Sequence, residues 1–94
     1  MIVRILGEGQ WRIEDAGRAE LNALDDDVEA AVQADDQQRL GEALQRLHEK
    51  VRATGTEVPL DELADSDLIL PDTDASLAEV RALLSESGEG LIPN

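Results

Sequence analysis

The chain has 94 residues, 22 of them Asp or Glu against 8 Lys or Arg, for a net charge of −14. Such a surface repels phosphate backbones and anionic lipid head groups, which argues against a nucleic-acid binder and against attachment to a membrane by charge. There is no cysteine, so disulfide frameworks, thiolate nucleophiles and cysteine-based zinc sites are excluded.

The length fits one domain spanning 1–94. Trp11 is the lone aromatic residue, so the core must be built from Leu, Ile, Val and Ala. Ile2-Val3-Arg4-Ile5-Leu6 is a β-branched run of strand length. Gly7-Glu8-Gly9 follows as a turn, and Gln10-Trp11-Arg12-Ile13 alternates polar and apolar. These predict a β-hairpin with Trp11 and Ile13 on its covered face. The two glycines complete no GxGxxG pattern, and Glu8 would repel phosphate, so the stretch reads as a turn and not as a phosphate loop. A strand pattern from Met1 reads as no signal peptide. No apolar run reaches the ~20 residues that span a bilayer. The expectation is a cytoplasmic protein with no direct membrane insertion.

From about Arg18 to Thr54 the chain reads as two helices folded back on each other. In the first, Leu21, Leu24, Val28, Ala31 and Val32 recur at steps of three and four and form one stripe. Asp25, Asp26, Asp27 and Glu29 fill the other side, and Asp15 is the expected N-cap. In the second, Leu40, Leu44, Leu47 and Val51 repeat likewise, with Ala43 beside them. The corner Ala34-Asp35-Asp36-Gln37-Gln38 is short enough to make the helices antiparallel, and Asp35 or Asp36 can cap the second. Arg39, Arg46, Lys50 and Arg52 on the second helix complement the acidic first one.

Gly55 is placed to end the second helix. Glu57 to Ala64 predicts at most one turn after Pro59. Asp67-Leu68-Ile69-Leu70-Pro71 is a short strand stopped by proline, expected beside the first strand. Ser76-Leu77-Ala78-Glu79 matches a capping box, and Leu77, Val80, Leu83 and Leu84 line a third, shorter helix. Ser85 to Gly90 ends it. The predicted fold is α+β: an N-terminal hairpin and a third strand in an antiparallel or mixed sheet, covered by a helical hairpin and a C-terminal helix. The tail Leu91-Ile92-Pro93-Asn94 is apolar, and is expected to fold back or to meet a partner.

No constellation for catalysis emerges. Three successive aspartates on a helix point about 100° apart, so Asp25, Asp26 and Asp27 cannot chelate together and read as a solvated face. Asp72 and Asp74 lack the later Gly and Glu of a calcium loop. His48 has Leu44, Gln45, Val51 and Arg52 one helical turn away, none of them a carboxylate, and reads as a surface histidine. The serines have no nucleophile-elbow context. The reading is no enzyme, no metal and no cofactor. Trp11 is read first as a core filler, and otherwise, with Leu91 and Ile92, as a candidate for partner binding.

Taken in order, Met1 to Ile13, the leucine-bearing helix pair, Ser66-Asp67-Leu68-Ile69-Leu70-Pro71, Leu77-Ala78-Glu79-Val80-Arg81-Ala82-Leu83-Leu84 and Gly90-Leu91-Ile92-Pro93 resemble the PspA-associated protein family, PspAA. Glu89, between the last two glycines, departs from the family's usual ending as a small extension. The resemblance implies a small cytoplasmic partner of PspA, the membrane-stress coiled-coil protein related to ESCRT-III, acting in an envelope stress response. It implies no activity and no cofactor. Two further classes stand beside an adaptor of this kind: a self-associating homodimer built on the tail or a sheet edge, and a nucleic-acid mimic, which ranks last because the acids lack the spacing of phosphates.

Overall fold

The β-branched residues Ile2, Val3 and Ile5 favour an extended backbone, and the computed structural model places them in strand β1 (Ile2–Ile5). Residues 1–5, 8–59 and 65–87 are described. Leu6 and Gly7, the segment 60–64 and the tail from Gly88 lie outside them, and so do the expected turn after Pro59 and the expected docking of the tail. β1 pairs antiparallel with β2 (Gly9–Arg12), with Val3 opposite Trp11 and Ile5 opposite Gly9. Glu8 N–H donates to the Ile5 carbonyl at 3.0 Å. Gly9 takes φ +140°, which an L side chain rarely adopts. Met1 and Ile13 exchange backbone hydrogen bonds of 3.1 and 2.7 Å and extend the pairing by one step.

Helix α1 (Asp15–Gln33) and helix α2 (Gln37–Thr54) then fold back on each other. Leu21, Val28, Ala31 and Val32 of α1 and Leu40, Ala43, Leu44, Leu47 and Val51 of α2 are buried in one cluster, and Leu24 packs against it half-buried. The corner is tighter than expected, because α1 runs to Gln33 and α2 begins at Gln37. Asp36 N–H donates to the Ala31 carbonyl at 3.0 Å and Asp35 N–H to the Val32 carbonyl at 3.1 Å. These bonds form a Schellman-type stop. Asp35 supplies its left-handed residue at φ 56°, a conformation that aspartate tolerates. Asp36 at once caps α2, its carboxylate accepting from Arg39 N–H at 3.1 Å.

Three local expectations are corrected. Asp15 is not the cap of α1 but its first residue, preceded by Glu14 with no side-chain cap bond. Its carboxylate faces Arg18 at 3.7 Å. Asp25 is not on the solvated face: it is 4% exposed, because it follows Leu21 by four residues and precedes Val28 by three, the spacing of the seam. Asp26 beside it is exposed. Gly55 ends α2 as expected, but in an extended conformation. Its requirement is space, since a Cβ there would lie 2.6 Å from Ile13 Cδ1, 2.8 Å from the Val51 carbonyl oxygen and 3.0 Å from Trp11 Cβ.

The contrast with Gly41 gives a test. A Cβ on Gly41 would have the Thr73 carbonyl 3.6 Å away, an ordinary contact. Gly55→Ala is expected to cost about 1–3 kcal/mol through overpacking. Gly41→Ala, in a helix interior, is expected to gain about 0.5–1 kcal/mol. Thermal melts of the two variants read both signs.

The sheet is completed by two strands. β3 (Thr56–Glu57) pairs antiparallel with β2, and β4 (Leu68–Leu70) pairs parallel with β1, giving the order β3-β2-β1-β4. β4 lies beside the first strand, as its pattern predicts. β3 was not foreseen, because two exposed residues carry no alternation to read. Val3, Ile5, Trp11, Ile13 and Leu70 point into the core shared with the helices, while Arg4, Arg12 and Ile69 lie on the outer face.

Helix α3 (Leu77–Ser87) closes the arrangement. Ser76 Oγ accepts from Glu79 N–H at 3.1 Å, the capping bond its sequence predicts. Val80 is buried, Leu77 and Leu84 pack at the core's edge, and Leu83 is 36% exposed. Arg81 ties the helix to the corner by donating to the Val32 carbonyl at 3.1 Å and meeting Asp35 at 3.3 Å. Gln37 clamps the start of α3: its Oε1 accepts from Leu77 N–H and its Nε2 donates to the Ala75 carbonyl, both at 3.0 Å. Gln37→Ala loses both bonds and is expected to cost about 1–2 kcal/mol. Hydrogen exchange of the α3 amides should then accelerate more than that of α2.

Candidate partner interface

The residues expected to meet a partner fall differently in the structure. Trp11 is 8% exposed and belongs to the core cluster. Its ring lies 3.9 Å from where a Cβ on Gly9 would stand, and its Cβ 3.0 Å from where one on Gly55 would. Leu91 and Ile92 lie outside the described residues. Trp11 is therefore a reporter of folding in the isolated chain, with its indole shielded from solvent.

His48 is corrected from a surface residue to a buried one, 3% exposed. Its Nε2 lies 2.7 Å from the Pro71 carbonyl oxygen. A carbonyl only accepts, so Nε2 carries the hydrogen. Nδ1 faces Glu8 Oε2 at 3.8 Å, and the same carboxylate receives Arg52 at 2.8 Å. The imidazole thus pins α2 to the end of β4 and faces the β1–β2 turn. Its environment comes from residues forty before and twenty-three after it, which reading along the helix could not supply. Its slot was visible, four residues after Leu44 and three before Val51.

The surface carries unneutralised acid. Cations are engaged locally, with Lys50 on Glu20 at 2.7 Å across the two helices and Arg52 on Glu8. Pairs this exposed contribute about 0–1 kcal/mol each. Asp72 is occupied by its own turn, its Oδ1 accepting from Asp74 N–H at 3.3 Å and from Thr73 Oγ1 at 3.4 Å. Among the described residues no group of three or more His, Asp or Glu is arranged to hold a metal ion. A shallow, open polar groove of 410 Å³ lies between α2 and the Thr73–Asp74 turn, walled by Gln37, Gln45 and Glu42. Among the described residues two large apolar side chains are exposed, Ile69 at 50% on the outer strand β4 and Leu83 on α3. No helix among the described residues is long and apolar enough to cross a membrane.

The model of the PspA-associated protein family matches residues 1–94, the full length of the chain. The chain belongs to the PspA-associated family. No curated protein and no solved structure matches it. For this PspA-associated protein the resemblance in the ordered features of the sequence is thus carried by the whole chain, hairpin, helix pair and final helix together. Among the described residues the surface presents acidic helix flanks, a polar groove and the outer strand β4.

Proposed function

We propose that this PspA-associated protein is a non-enzymatic adaptor that binds a PspA-type coiled-coil protein in the cytoplasm and modulates its part in the envelope stress response. The family match over residues 1–94 carries this reading. The physics supports it in a second way. A net charge of −14 favours a partner that presents basic and apolar surface, and charge complementarity raises the rate and selectivity of such encounters. Helical partners commonly lay an amphipathic face against a groove or flat patch.

The test is co-purification of the folded, tagged chain with a purified PspA-type coiled-coil protein, followed by light scattering on the eluate. A complex of defined mass is expected. Absence of a complex at about 10–50 µM, near −6 to −7 kcal/mol of binding free energy, would overturn the reading. Because Trp11 is buried, its emission should change little on binding and serves as the control for integrity.

A further inference from the structure

We infer that the outer edge of β4, which pairs with no further strand among the described residues, is a docking site for an extended, basic segment of a partner chain, which adds to the sheet as a further strand. In the order β3-β2-β1-β4, β4 is an outer strand. Met1 bonds to Ile13, one residue past β2, so by alternation Ile2 and Arg4 direct their backbone groups toward β4. Ile2 does so, its carbonyl accepting from Asp67 N–H at 2.8 Å and its N–H donating to Asp67 Oδ2 at 2.7 Å. In the parallel register Arg4 stands opposite Ile69. The two neighbours Leu68 and Leu70 therefore serve Arg4, and the N–H and C=O of Ile69 point away from the sheet. The Ile69 side chain is the most exposed large apolar group among the described residues, at 50%. A donor, an acceptor and an apolar side chain thus stand together on an edge that no other described strand covers, the set of contacts that strand addition uses.

Charge selects the occupant. Asp65 and Asp67 precede the strand and Asp72 and Asp74 follow it, all four exposed. Ion pairs between described residues form on Asp15, Glu20, Glu8 and Asp35. A second copy is disfavoured, because antiparallel pairing about Ile69 would set Asp67 opposite the copy's Pro71, next to its Asp72, and Asp65 opposite its Thr73, next to its Asp74, and so crowd like charges along one edge. An incoming strand with an apolar residue against Ile69 and Lys or Arg two and four residues on would set those cations opposite Asp67 and Asp65. The edge itself is blunted by its shortness and by Pro71, which guards against unselective pairing.

The probe is the capped peptide Lys-Thr-Lys-Thr-Val-Thr-Lys-Thr-Lys, titrated into the full chain and followed by amide chemical shifts and hydrogen exchange. The Ile69 amide should shift and its exchange should slow by about tenfold at saturation, as a newly bonded edge amide does. Binding should weaken by about threefold or more between ~0.15 and ~0.5 M salt. Asp65→Lys with Asp74→Lys, at positions whose carboxylates hold no other element among the described residues, should weaken it by about fivefold or more with an unchanged melting temperature. An unmoved Ile69 amide would overturn the assignment. So would equal binding of the same peptide with Glu in place of Lys. Protection of Ile69 without peptide, accompanied by a dimer mass in light scattering, would give the edge to a second copy instead. None of these outcomes depends on whether a PspA-type protein binds.

Discussion

Leu47→Asp is expected to leave the chain without a cooperative melt. Leu47 is fully buried where α2 meets the core. Its removal forfeits about 1.5–3 kcal/mol of burial. An ionised carboxylate in its place has no partner and no water, and burying such a charge costs several kcal/mol more. A chain of 94 residues holds about 5–14 kcal/mol in total. The two losses together reach the size of that reserve. Leu47→Ala, which makes a cavity but buries no charge, should cost about 2–5 kcal/mol and still melt cooperatively. Trp11 emission against temperature reads both variants. A near-native melt of the aspartate variant would mean that the seam between α1 and α2 is not what holds the fold.

His48→Ala is expected to be the next most damaging change, at about 3–5 kcal/mol. It removes a buried ring and leaves the Pro71 carbonyl without its donor. His48→Gln places an amide nitrogen near the position of Nε2, so it should recover about half of that loss. Glu8→Gln, by contrast, alters an exposed carboxylate shared with Arg52 and should cost about 1 kcal/mol or less. Denaturant melts of the three variants rank them. If His48→Gln were no better than His48→Ala, the hydrogen bond to Pro71 would not be the reason for the histidine.

Much of the fold could be read from the residues because its strongest signal is periodic. Leu21, Val28 and Val32 against Leu40, Leu44, Leu47 and Val51 specify two facing stripes, and the structure buries all of them. Asp36 and Ser76 could be read as caps because their chemistry is local, within three residues of the amide each one satisfies. Asp25 and His48 were misplaced for the opposite reason. Both sit in seam slots, but their polarity argued for solvent, and only the fold decides whether a slot is covered. β3 lies beyond pattern reading because its pairing depends on where Gly55 delivers the chain next to β2. The surface was the least legible part. Whether Ile69 faces the core or the solvent follows from its register against Arg4, a residue 65 positions away that no local pattern could link to it.

The proposed association with a coiled-coil partner meets its most direct test in calorimetric titration of the intact chain with a purified PspA-type protein, at low and at raised salt. Saturable heat is expected, with a dissociation constant in the range of about 0.1–10 µM that rises with ionic strength as acidic helix flanks and basic partner surface are screened. A folded chain that gives no heat and forms no complex at either salt concentration would contradict it.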